Sequence, residues 1–409
     1  MQIPNSIGTL PNVTAIDLSD NTLTGPIPSS MQNMSKLIIL RLHNNMLDGE
    51  IPTWLFKITT LMELFIGGKG NSLIWNNEAK IVPNCNLMLL SMSSCNISGQ
   101  IPEWISSQKD MRQIPMSVSK LNSLEILDLS TNRFFGDTLP FFGDKSNLDT
   151  IDLSYNNFSG NIPINFPKGI RNLYLGGNKF SGNIPRDLTK LVNLRILDIH
   201  ENNITGDLQN TLPQIQTLEV LVLRNNSLQG YIPSNIHNLT SLRILDLSHN
   251  NLTGSEIPSS LGNLKALKLL NMSRNMISGR IPVSFGNLQN IESLDLSHNE
   301  ISGPIPQSLV NLFQLTVLDV SNNKLRGKIP FGGQMDTMNS FENNSGLCGM
   351  QIKVTCLEDI RPLRPLEGAD EKQSWFLWEG TWVGFPVGFF TSILIMGYFL
   401  DFLRLFKIW

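Results

Sequence analysis

The amino-acid sequence predicts an α/β solenoid, an arc of stacked coils with a parallel β-sheet on its concave face, followed by one C-terminal transmembrane helix. Three observations carry this. The pattern L-x-L-x-x-N-x-[LIF]-x-G-x-I-P returns along the chain, as in "LDLSHNEISGPIP" at residues 294–306. Its asparagine recurs at near-constant spacing. Residues 381–400 are a run of 20 without a charge.

The asparagine position falls at Asn21, Asn45, Asn71, Cys95, Asn132, Asn156, Asn178, Asn202, Asn226, Asn250, Asn275, Asn299 and Asn323, mostly 24 residues apart. That period with this leucine spacing is the leucine-rich-repeat signature. Each unit supplies one short strand, and the chain then turns sharply. An inward amide can bond the backbone of its own and the neighbouring coil where water cannot reach. The leucines bury only against adjacent coils, so stability is a sum of nearest-neighbour terms. Thirteen strands at roughly 4.8 Å span about 60 Å, room for a peptide or protein ligand.

In order, residues 1–330 read as the solenoid, irregular at 65–86 and 104–120, and 331–357 as a C-terminal cap. Met1 to Pro4 start inside a repeat without a leader or cysteine-bearing cap, which predicts a missing N-terminus. Cys95 to Asn132 spans 37 residues, 24 plus 13, as if one repeat had lost its strand; such a coil is expected to interrupt the sheet. Ser255 adds one residue between Asn250 and Asn275, which a loop absorbs. Cys348 and Cys356 read as a disulfide closing the end of the core. For Cys95, an unpaired core thiol and a bond to Cys85 both fit.

Residues 358–380 form an acidic juxtamembrane segment, 381–400 the transmembrane helix and 401–409 a short tail. Twenty residues make about 30 Å of helix, one bilayer core. Trp375, Trp378 and Trp382 stand at its entry, and Arg404 and Lys407 follow it, which favours repeats outside and tail inside. Gly384 and Gly388 form G-x-x-x-G, a helix-pairing pattern. Ten N-x-[ST] sequons, at Asn12, Asn33, Asn96, Asn157, Asn203, Asn225, Asn238, Asn251, Asn271 and Asn343, fit a glycosylated extracellular face.

Units such as "LDLSHNNLTG" and "LDVSNNKLRGKIP", then "NNSGLCGMQIKVTC", an acidic segment, one span and a tiny tail, resemble the plant leucine-rich-repeat receptor-like proteins. The resemblance covers essentially the whole chain. It implies a non-enzymatic, single-pass type I subunit of the plasma membrane, serving defence or development, that binds an extracellular peptide, protein or glycan. It also implies an adaptor receptor kinase paired through Gly384 and Gly388, and a co-receptor kinase facing the repeats from Asn275 to Asn323. Many relatives carry a non-repeat island before their last four units; this chain has none. The alternatives are an inhibitor of cell-wall-degrading enzymes and a non-signalling truncated decoy.

Residues between the leucines point to the concave face. Many units carry the bland Asp and Ser of "LDLS", suited to solubility and inter-coil hydrogen bonds. Tyr174, Asp198, His200, Glu201, Val222 and Arg224 depart from it over three successive coils, and charge with an aromatic anchor makes them the expected ligand contacts. Arg41, His43 and Arg274 depart as well. His43, His200, His249 and His298 stand beside ladder positions, where mild acid can protonate them. No metal spacing or nucleophile elbow occurs, and Gly67 to Gly70 lacks the strand-to-helix setting of a phosphate loop. No cofactor is implied, and a net charge of -3 gives no case for nucleic acid.

Overall fold

The computed structural model describes residues 1–356 apart from 76–82, 102–104, 106–122, 140–141, 143–146, 165 and 209–211. The juxtamembrane segment, the expected span with Gly384 and Gly388, the tail and most of 104–120 therefore lie outside the described residues. Among those described, no helix is long and apolar enough to cross a membrane.

Thirteen three-residue strands, from Ala15–Asp17 to Val317–Asp319, form one parallel sheet in chain order. Each centres on a leucine or isoleucine whose side chain turns inward. The next outward residues align from strand to strand, so Asp128, Asp152, Tyr174, Asp198 and Val222 form one continuous row. Inside runs a single hydrophobic core from Ile3 to Leu347, with Phe134, Phe158 and Phe180 stacked at 6.3 and 6.2 Å. Strands of two to five residues beyond the ladder positions make further sheets of three, five and four strands.

The ladder works as its chemistry demands. Asn299 donates from Nδ2 to the carbonyls of Met272, Leu296 and Ser297, and its Oδ1 accepts from the Ile277 amide. The same four bonds recur at Asn250 and Asn323. Asn344, inside the expected cap, adds a further rung with Leu325, Val320 and Phe341.

Two expectations need correction, and one open alternative is decided. Among the described residues the helical side of the coils is built mainly of 3-10 rather than α-helix: segments such as Ser234–Asn238 and Gln307–Asn311 are five-residue 3-10 helices. Each follows the proline of G-x-I-P, and so short a connection leaves no room for α-helical turns. The sheet is not interrupted after Cys95, because Leu89–Ser91 pairs directly with Ile126–Asp128. Asn132 bridges the gap, accepting from the amides of Cys95 and Ile97, both at 3.0 Å, and donating to Met92. Finally, Cys85 and Cys95 are both buried and are not joined to each other. Burial, then the Asp128 charge, pushes the Cys95 thiol up to about 12, so it stays protonated. A thiol cannot supply the two N–H donors and the carbonyl acceptor of an amide, and the three-stranded sheet ends with Ser72–Ile74, on the coil before it. Cys348 and Cys356 are bonded, with 5.1 Å between their Cα atoms.

Candidate functional site

The recurrent Asp-x-Ser of the outer face is a local turn. Asp152 Oδ1 accepts from the amide and hydroxyl of Ser154 at 2.9 and 2.6 Å, and Asp17, Asp128 and Asp246 repeat the arrangement with Ser19, Ser130 and Ser248. This motif is a structural turn, closed on itself by its own serine.

One coil modifies it. His200 takes the serine position, and its Nδ1 contacts Asp198 Oδ1 at 2.6 Å while its backbone amide bonds the same oxygen. The imidazole then reaches further than a hydroxyl can. Its Nε2 lies 3.0 Å from the Tyr155 hydroxyl, 45 residues earlier and two coils away. The intervening coil carries Gly176 and Gly177. A Cβ on Gly176 would stand 2.2 Å from His200 Nδ1, and one on Gly177 would stand 2.5 Å from the Tyr155 ring. Gly177 also has φ of +64°, which glycine adopts without strain. The two glycines clear the space in which Tyr155 and His200 meet.

Around this relay the expected contacts converge in part. Tyr174 and Asp198 are direct neighbours in register, with Val222 next along the row. Arg224 pairs with Glu201 at 3.6 Å. His200 is only 6% exposed, so it acts through Tyr155, which is 47% exposed. Tyr155, Asp128, Asp152, Gly176 and Gly177 escaped the sequence reading. The available signal was "LGGN" where other units have a serine and a larger residue before the ladder asparagine.

The electrostatics single out the same place. Asp17 is held below its usual range, first by the Ser19 hydroxyl. Asp152 has the same donors, yet burial and the Asp128 charge outweigh them and raise it to about 7. Tyr174 is pushed up to about 12 by burial and by Asp152 and Asp198, so it remains a neutral phenol. The surface is an aromatic platform over a carboxylate that carries a proton near neutral pH.

A second departure gathers at the other end of the sheet. Arg41 bonds Glu63 at 2.9 Å and lies 5.7 Å from the Phe65 ring centre. Its charge is compensated locally.

Family models for a leucine-rich repeat region match residues 241–372, and for the leucine-rich repeat residues 192–252 and five segments between 12 and 191. The chain is a leucine-rich-repeat protein. Its relatives include receptor-like protein EIX2 of Solanum lycopersicum, 28% identical over 37% of this chain and 16% of the relative. Receptor-like protein 32 of Arabidopsis thaliana is 29% identical over 54% of this chain and 22% of its own length. These matches span less than a quarter of the relatives. Among solved structures, a plant peptide hormone receptor, RGFR1 in complex with RGF2, superposes with a TM-score of 0.69 at 28% identity, covering 85% of this chain and 57% of that one. The Arabidopsis receptor kinase HAESA, in complex with the peptide hormone IDA and the co-receptor SERK1, gives 0.58 at 30% identity, covering 85% and 64%. The leucine-rich repeats thus have the architecture of plant receptor ectodomains.

Proposed function

We propose that this chain is a non-enzymatic cell-surface receptor subunit that binds an extracellular peptide, protein or glycan on the outer sheet face and signals through partner receptor kinases. Ligand contact falls on Tyr155, Tyr174, Asp198, Glu201, Val222 and Arg224, with His200 positioning Tyr155. The supporting observation is the Tyr155–His200–Asp198 relay. A purely structural coil is satisfied by serine, as the coils of Ser154 and Ser248 are. Replacing it with histidine, and clearing two side chains from the coil between, instead orients an exposed phenol.

The membrane part of the proposal rests on sequence: residues 381–400 span the bilayer, the repeats stand outside with sequons occupied, and Gly384 and Gly388 pair with an adaptor kinase helix. The peptide hormone receptor RGFR1 is in complex with RGF2, and HAESA with the peptide hormone IDA and the co-receptor SERK1, which supports those partner classes here. Expression of the full chain in plant cells, followed by glycosidase treatment and impermeant surface labelling, tests the orientation. The proposal expects a mobility shift and surface label. An unshifted chain reached only after permeabilisation contradicts it.

A further inference from the structure

Two coils beyond His200 along the sheet, the row beside the ladder changes character. The outward residues there are His249, Arg274 and His298, on consecutive coils, all exposed and all at φ of 53°. Their amides bond the next coil at 2.9 to 3.0 Å: His249 to Ser273, Arg274 to Ser297 and His298 to Ser321. The three side chains therefore leave the backbone in parallel, at the spacing of adjacent strands, about 5 Å.

Their surroundings leave this edge uncompensated. Asp246, Asp295 and Asp319 of the outward row are engaged by the amides of Ser248, Ser297 and Ser321. On the coil of Arg274 the aspartate is missing, and Asn271 makes the same turn with Ser273 without a charge. Neighbouring acids are taken up elsewhere, Glu201 by Arg224 and Glu300 by Lys324. Arg274 forms no ion pair among the described residues, and the His298 ring contacts only the Asn322 amide at 3.3 Å. Asn225 and Asn322 flank the trio and are neutral. In the same register, Ile196, Val220, Ile244 and Leu269 form a half-buried aliphatic lane that runs from the His200 coil to the Arg274 coil and ends at Ser293.

We propose that His249, Arg274 and His298 form an oxyanion subsite that takes a carboxylate of an acidic peptide lying across these strands. This rests on the reading of the sheet face as ligand-facing. A peptide is favoured over an acidic glycan because the aliphatic lane complements apolar side chains that a glycan lacks. Arg274 supplies the permanent charge, and the two imidazole rings flank it as further hydrogen-bonding groups. Added salt therefore weakens the binding.

The test uses the full chain in detergent and fluorescence anisotropy of labelled hexaglutamate, with hexaglutamine and oligogalacturonate as comparisons. Hexaglutamate is expected to bind at low salt and to lose about tenfold in affinity when the salt is raised to about 0.5 M, while hexaglutamine does not bind. Arg274→Gln removes binding. The double change His249→Ala and His298→Ala leaves a weaker binding that Arg274 alone carries. His200→Ser, which disables the relay, leaves hexaglutamate binding unchanged, so failure of one site is separable from failure of the other. Full affinity in Arg274→Gln overturns the subsite. Tighter binding of oligogalacturonate than of hexaglutamate overturns the peptide assignment.

Discussion

Replacing Asn299 with alanine isolates the physical basis of the stack. Four hydrogen bonds disappear, but they are not equivalent. The Met272 carbonyl keeps the donor of Asn275, Leu296 keeps that of Asn323, and Ser297 keeps the Arg274 amide. Only the Ile277 amide loses its one partner, since Asn299 Oδ1 was its acceptor. A buried donor left unmade costs about 1–3 kcal/mol, and the lost second bonds add a fraction more, so Asn299→Ala is expected to cost roughly 2–4 kcal/mol. Asn299→Asp is worse at neutral pH despite its closer shape. It restores the acceptor for Ile277 but sets a carboxylate against three carbonyl oxygens in a buried site. Urea unfolding gives the totals, and hydrogen exchange at the Ile277 amide gives the local effect, which matters because stacked repeats need not unfold in one step. Equal stability of the Ala and Asp variants at neutral pH, or unchanged Ile277 protection in Asn299→Ala, would refute the ladder argument.

Asp152 makes stability depend on pH in an unusual direction. Its folded pKa is raised from 3.8 to about 7, so between these values the folded chain keeps a proton the unfolded chain has released. Stability therefore falls as pH rises through that window and levels off above it. Asp152→Asn should flatten this slope and stabilise the protein at about pH 8 by up to about 4 kcal/mol, measured by urea titration across pH. Reducing the Cys348–Cys356 bond, which closes a separation of 8 residues, should cost about 2.5 kcal/mol, read from unfolding with and without reductant. Glycopeptide mapping should find sugar at the exposed Asn12, Asn33, Asn96, Asn157, Asn203, Asn225, Asn251 and Asn343, but not at half-buried Asn271, whose side chain is engaged by Ser273.

The repeat count, register and inward leucines were readable because each obeys a period the sequence states thirteen times. The ladder asparagines were readable for the same reason, down to the odd Cys95. Two features were not. The strand pairing across residues 96–125 depends on where the surplus residues leave the stack, and Asn132 decides this by bonding Met92 and Ile97 across 40 and 35 residues. The relay was half visible. His200 and Asp198 are close in sequence, but Tyr155 meets them only because coils two apart converge over Gly176 and Gly177. A repeat pattern shows what recurs, while this contact arises from what is absent in one coil. The aspartates misled for the opposite reason: "LDLS" looks bland, yet at Asp152 desolvation and the neighbouring Asp128 overcome the lowering effect of its own turn.

The central claim is that an exposed sheet face, tuned around Tyr155 and Tyr174, receives an extracellular ligand. A photo-crosslinking amino acid placed at Tyr174 of the full chain on intact plant cells, with a second variant carrying it at exposed Tyr231 away from the relay, tests this most directly. The account predicts a discrete extracellular adduct at position 174 that is lost when His200→Ser is added and is absent at position 231. Equal capture at both positions, or adducts formed only with cytosolic molecules, would contradict it.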